Sequence, residues 1–236
     1  MSGTVIAIEG PSAAGKTTVA ARVARTTGGV VLPEAYRRII PTPNLELGSP
    51  AELLDLEERL LREDADRYLE ALARARAGAT VVADTGFLGP LTYTWALVVQ
   101  GAAPLSSLVA LRDRARSLAR HGEWGLADEY FYLETTAAAR AGRIRADRAG
   151  HPPALARRHE EVGVLELRFY RERFAPLLGS RFHRVPAGET APVVADRVVA
   201  LLRAPIPAPG PRPRIDAVLA RFEVREGPAL PSRGNR

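Results

Sequence analysis

Gly10-Pro11-Ser12-Ala13-Ala14-Gly15-Lys16-Thr17 has the spacing G-x-x-x-x-G-K-[ST], the pattern of a phosphate-binding loop. The residue types fit phosphate chemistry. Backbone N–H groups of residues 13 to 18 can converge on phosphate oxygens, and the start of a helix adds partial positive charge. Gly10 permits a sharp exit from the preceding strand, and Gly15 lets the backbone approach a ligand. Lys16 brings a mobile point charge to β- and γ-phosphates, and Thr17 offers a hydroxyl to Mg²⁺. The nucleotide-binding set is therefore Gly10, Ser12, Ala13, Ala14, Gly15, Lys16, Thr17 and Thr18, with ATP and Mg²⁺ as the expected cofactors. Lys16 is the only lysine in a chain that otherwise places arginine at its basic positions.

The flanks have the right form. Thr4 to Glu9 is a short β-rich run suited to a buried parallel strand, and Thr18 to Arg25 reads as a helix. Gly28-Gly29 ends that helix, and Val30-Val31-Leu32 makes a second strand ending at Pro33-Glu34. Ligands of open parallel sheets lie beyond the carboxyl ends of strands, which puts Glu34 near the phosphate site. Its alternative role is a helix-capping or salt-bridged acid. A short helix from Ala35 to Arg38 leads into a proline-broken loop to Pro50 that could cover a substrate. Ser49 and Pro50 open a long helix that runs to about Ala77. Thr80 to Asp84 is a third strand ending in an acid, suited to holding Mg²⁺ together with Thr17, or simply to capping a turn.

The remaining chain repeats the pattern. Leu91 to Val99 and Pro104 to Arg120 read as helices, the second with a basic stripe of Arg112, Arg116 and Arg120 that suits a solvated face. Glu129 to Glu134 is a fourth strand, followed by an arginine-dense helix from Thr135 to Arg148 and another ending near Phe174. Arg181 to Pro186 is a fifth strand, and Ala191 to Arg203 the last core helix. Five such units predict a three-layer α/β fold, a doubly wound five-stranded parallel sheet with helices on both faces. Residues 1–203 form the expected domain, and 204–236 a proline-rich linker and tail. In the tail, Ile215, Val218, Leu219 and Phe222 share one side of a short helix that could dock on the core or on another subunit, or stay disordered.

Composition narrows the classes. The 236 residues suffice for one large domain, and the 46% hydrophobic content is ordinary for a globular chain. There is no cysteine, hence no disulfide framework or thiolate metal site, and four scattered histidines do not suggest zinc. No stretch approaches the roughly 20 apolar residues of a membrane span, so a cytoplasmic protein with no membrane partner is expected. The net charge of +6 is spread as arginine along the chain, which suits a small anionic substrate better than nucleic acid.

Ile6 to Gly10, the phosphate loop, the acids after strands two and three, and the arginine-rich helix after strand four resemble the deoxynucleoside kinase and thymidylate kinase superfamily over roughly residues 4 to 203. The resemblance implies an ATP-dependent kinase. It implies that Glu34 is the general base on an acceptor hydroxyl and that Asp84 opens the acid-arginine motif. Arg67 matches an arginine that holds substrate phosphate. Arg143, Arg145 and Arg148 match the arginines of a lid at about 135–153, and Ala187 begins the adenine-contacting loop. It also implies a dimer through the long helices. One position departs: Thr85 stands where the family has arginine, so Arg143 or Arg37 must brace the phosphate instead.

The acceptor decides what Glu34 does. A hydroxyl acceptor benefits from a carboxylate base, whereas a phosphate dianion would be repelled by one. Glu34 thus points to a nucleoside or nucleoside-like acceptor, such as a natural product. Arg67 and Arg37 pull towards a monophosphate, as in a thymidylate-type kinase. Phe87 and Tyr93, in the segment after strand three, complete the expected substrate contacts. The expected catalytic set is Lys16, Glu34, Asp84, Arg143, Arg145 and Arg148. A non-catalytic nucleotide sensor is the other reading, should Thr85 mark lost chemistry. A GTPase switch is disfavoured because no Asn-Lys-x-Asp motif is present.

Overall fold

Four β-branched side chains in six residues make β1 (Thr4–Glu9) a natural buried strand. In the computed structural model, which describes residues 3–39, 49–146, 153–204 and 211–224, it is the middle of a five-stranded sheet. The order is β2 (Val30–Leu32), β3 (Thr80–Asp84), β1, β4 (Glu129–Glu134) and β5 (Phe182–Pro186). All neighbours pair in parallel. Ile8 stands opposite both Asp84 on β3 and Phe131 on β4, so the carboxyl ends of three strands open around Gly10.

Strand alternation assigns the two faces. Ile6, Ile8, Val82, Phe131, Leu133 and Val185 pack with Val19 and Val23 of α1 (Lys16–Thr27) and Val194 and Val198 of α9 (Ala191–Arg203). Val5, Ala7, Val81, Ala83, Tyr130 and Tyr132 belong to the opposite core with α3 (Pro50–Arg76), α4 (Gly89–Val99) and α5 (Leu105–Arg120). This is the three-layer doubly wound architecture that the sequence predicts.

Helix ends follow local rules. Gly28, with φ 68°, closes α1. Ser49 accepts from the Glu52 N–H at 3.3 Å and Pro50 starts α3, whose Leu53, Leu56, Leu60 and Leu61 are buried. The short α2 (Ala35–Ile39) lies between β2 and the covering loop; residues 40–48 of that loop are outside the described residues.

Two segments differ from the sequence reading. The helix after β4 is α6 (Ala137–Ala146), and residues 147–152 of the expected lid, Arg148 among them, lie outside the described residues. The next helix does not run unbroken to Phe174. α7 (Pro153–Arg168) widens into a π turn over Phe169–Phe174 before α8 (Ala175–Leu178). A helical repeat alone would carry Phe169, Tyr170 and Phe174 to different sides; the wider turn lets all three enter the core.

The tail docks on this core. α10 (Ile215–Leu219) and the following turn bury Val218, Leu219 and Phe222 completely. Phe222 stacks on Phe169 with ring centroids 4.4 Å apart. Arg173 of the π turn donates to the Arg221 and Glu223 carbonyls at 2.7 and 2.8 Å and lies 4.9 Å over the Trp95 ring.

Candidate active site at the carboxyl edge of the sheet

The phosphate loop leaves β1 at Gly10 and turns through two left-handed residues, Ala13 at φ 59° and Gly15 at φ 93°, before α1 begins at Lys16. Positive φ at such positions turns successive N–H groups inward and builds an anion-binding hollow. No side chain caps α1, and Thr17 and Thr18 in its first turn are exposed, so the helix start is open to a phosphate. Lys16 folds over its own loop, donating from Nζ to the Gly10 carbonyl at 2.8 Å and the Pro11 carbonyl at 3.2 Å.

Two further elements converge on the loop. Arg143 of α6 donates from Nη1 to the carbonyls of Ala13 and Ala14 at 3.2 and 2.9 Å, and from Nη2 to that of Ala187 at 2.9 Å. It thereby bridges the phosphate loop and the turn after β5. Ala187 is also fixed through its own N–H, which donates to the Glu134 carbonyl at 2.8 Å. Of the other lid arginines, Arg145 belongs to α6.

On the opposite side stand Glu34, Asp84 and Thr85. Asp84 is 1% exposed, and its Oδ1 has no hydrogen-bond partner among the described residues. A buried carboxylate oxygen without a partner suits a cation. No group of three or more metal-ligating acids or histidines gathers among the described residues. Mg²⁺ would therefore rest on Asp84, Thr17 and the oxygens of the nucleotide itself, supplying charge neutralisation to the phosphates. Thr85 holds φ 65°, uncommon for a β-branched residue. Its N–H donates to the Ile8 carbonyl at 3.1 Å, and its hydroxyl to Glu34 Oε1 at 3.4 Å.

Arg67 and Phe87 lie in the interior rather than on an open wall. Arg67 of α3 is fully buried, ion-paired with Asp64, and donates to the carbonyls of Asp84, Thr85 and Gly86 at 3.1, 2.8 and 3.2 Å. The reason is topological: α3 packs flat on the sheet, and the strand-exit carbonyls beneath it need donors. Phe87 is fully buried, edge-on to Tyr68 at 5.5 Å and 5.5 Å from the Arg67 guanidinium carbon. Arg37 is exposed and Tyr93 half-buried.

Buried carboxyls that sequence reasoning did not single out surround this edge. Glu9, the residue before the loop, accepts from the Gly86 N–H at 2.9 Å and from Tyr170. Gly86 has no room for a side chain, since a Cβ there would meet Glu9 Oε1 at 2.5 Å. Burial raises the Glu9 carboxyl to about 7, against the pull of Lys16. Burial likewise raises Asp64 to about 7 despite Arg67, and Glu166 to about 7 despite Lys16 and Arg140. Glu57 is pushed well above its ordinary range by burial and then by Asp64. The only sequence signal for Glu9 was an acid in a strand otherwise built for the core.

The AAA domain family is matched by residues 5–162 of the chain. No curated protein matches it by sequence. Among solved structures it is similar in fold to the deoxyadenosine kinase of M. mycoides with bound dATP, at TM-score 0.60 and 16% identity, covering 85% of this chain and 100% of that one. The same enzyme with the products dCMP and a flexible dCDP aligns at TM-score 0.57 and 16% identity, over 84% of this chain and 98% of that one. With bound dCTP it aligns at TM-score 0.55 and 16% identity over the same shares. Among the described residues no helix is long and apolar enough to cross a membrane.

Proposed function

The chain belongs to the AAA domain family, and on that premise we propose that it is an ATP-dependent small-molecule kinase that transfers the γ-phosphoryl group to a hydroxyl of a nucleoside or nucleoside-like compound. The observation that carries the reading is the contrast between Glu34 and Arg67. Glu34 stands at the exit of β2, oriented by Thr85. Arg67, the arginine that would favour a phosphorylated acceptor, has its guanidinium directed at Asp64 and three carbonyls. A carboxylate without a facing arginine suits a neutral hydroxyl that must lose a proton, and disfavours a second dianion.

The roles follow from the geometry. Lys16 and the open start of α1 hold the β- and γ-phosphates. Arg143 fastens the loop to the Ala187 turn, where a purine base would rest. Asp84 and Thr17 serve Mg²⁺. The fold likeness to deoxyadenosine kinase supports the acceptor class and no particular nucleoside.

The test is ADP release from MgATP against nucleosides, nucleoside monophosphates and hydroxylated natural products. Turnover on a hydroxyl compound supports the reading. Turnover confined to monophosphates overturns it, and nucleotide binding with no turnover on any member favours a sensor.

A further inference from the structure

Arg140 of α6 is 6% exposed, and no hydrogen-bond or ion-pair partner among the described residues reaches its guanidinium. An arginine cannot escape burial by losing its proton, so five donors left without acceptors destabilise the folded chain. Such a side chain is explained when a ligand supplies the acceptors.

Its surroundings say which ligand. A Cβ at Gly163 would stand 3.1 Å from Arg140 Nη1 and 3.1 Å from the Pro11 Cβ. The guanidinium and the phosphate loop therefore meet across the bare backbone of Gly163, and the absence of a side chain there lets them do so. One turn further along α7, Glu166 feels Lys16, Glu34 and Arg140 together. Arg140 thus shares one neighbourhood with the loop lysine and the candidate base. Arg143, one turn along α6, is already engaged with the carbonyls of Ala13, Ala14 and Ala187. Thr85 brings no charge where an arginine was expected. Arg140 is the cation near the loop whose donors are open.

We propose that Arg140 is a catalytic arginine that hydrogen-bonds the γ-phosphoryl group of the bound nucleotide, an assignment that rests on the kinase reading for its catalytic part. In the transfer, the acceptor oxygen uses a lone pair to bond the γ-phosphorus and its proton passes to Glu34. The bond from the γ-phosphorus to the β,γ-bridging oxygen breaks, and its electron pair leaves with ADP. Lys16 and Arg140 meet the negative charge on the equatorial oxygens.

The experiment compares wild type with Arg140→Met in equilibrium binding of MgADP and of a non-hydrolysable MgATP analogue, alongside thermal unfolding without nucleotide. The variant is expected to lose about 10- to 100-fold in affinity for the triphosphate, the worth of a hydrogen bond to a charged group. MgADP binding should stay within about twofold, and the unfolding temperature should hold or rise because an unpaired buried charge is gone. Equal affinity changes for both nucleotides, no change for either, or a marked fall in unfolding temperature would overturn the assignment. The readout needs no acceptor, so it separates the two claims. Lost triphosphate preference without turnover on any acceptor sinks the kinase reading and leaves the γ-phosphate contact standing. Turnover with the preference intact in Arg140→Met does the reverse.

Discussion

Arg67 donates from Nη2 to the backbone carbonyl of Thr85 at 2.8 Å. A fully buried side chain of α3 thus fixes the residue that orients Glu34. With the Thr85 N–H tied to Ile8, both backbone polar groups of a left-handed threonine are held, which is how a strained conformation persists. Thr85→Gly should relieve that strain and stabilise the fold by about 1 kcal/mol. It should also lower kcat, since Glu34 loses its hydroxyl donor. Urea unfolding beside steady-state turnover checks both; lower stability with unchanged kcat would contradict the arrangement.

Removing Arg67 should be far more harmful than removing its neighbour. Arg67→Ala leaves Asp64 buried without its cation and three carbonyls without donors, a loss of roughly 3–5 kcal/mol. Asp66→Ala, on the exposed side of the same helix, should change stability by no more than about 0.5 kcal/mol. Similar unfolding midpoints for the two variants would show that Arg67 is not a brace.

The buried acids give the stability a definite pH slope. Glu9 moves from an ordinary 4.5 to about 7 in the folded chain, chiefly through burial. Between those values the folded state binds more protons than the unfolded one, so stability is greatest below about 4.5 and falls as pH rises towards 7. The Glu9 share is at most roughly 3 kcal/mol, and Asp64 and Glu166 act in the same direction. Glu9→Gln keeps an acceptor for the Gly86 N–H and removes the titration. Urea melts at pH 5 and 7.5 should show a smaller difference in the variant than in wild type; an unchanged difference would place the titration elsewhere.

Much of this frame was legible beforehand. The five strands, the start of α3 at Ser49-Pro50 and the length of α9 follow from β-branched runs, caps and glycine stops, which are local in the chain. Side-chain direction was not. The sequence shows Arg67 as one charge on a helix carrying several, and only the packing of α3 on the strand exits turns it inward. Phe87 reads as a loop aromatic until Tyr68 and the carbonyl-bound Trp124 enclose it. The freedom of Arg140 depends on Gly163, 23 residues away in the chain, and no local pattern marks that pairing. The π turn at Phe169–Phe174 likewise answers to the tail that packs against it.

That tail is part of the domain by its packing. Phe222→Ala removes a fully buried ring stacked on Phe169 and should cost about 3–5 kcal/mol in global unfolding. Truncation after Arg203 should destabilise at least as much, because it also uncovers Phe169 and strips Arg173 of its two carbonyls. Unaltered thermal unfolding in both would mean that the tail is an ornament on the core.

The most direct measurement of the central claim is turnover by Glu34→Gln on the acceptor that wild type phosphorylates from MgATP. The account predicts that kcat falls about 100-fold or more, the contribution of a positioned base, while MgATP binding is unchanged. A Glu34→Gln enzyme that retains wild-type kcat would contradict general-base transfer to a hydroxyl.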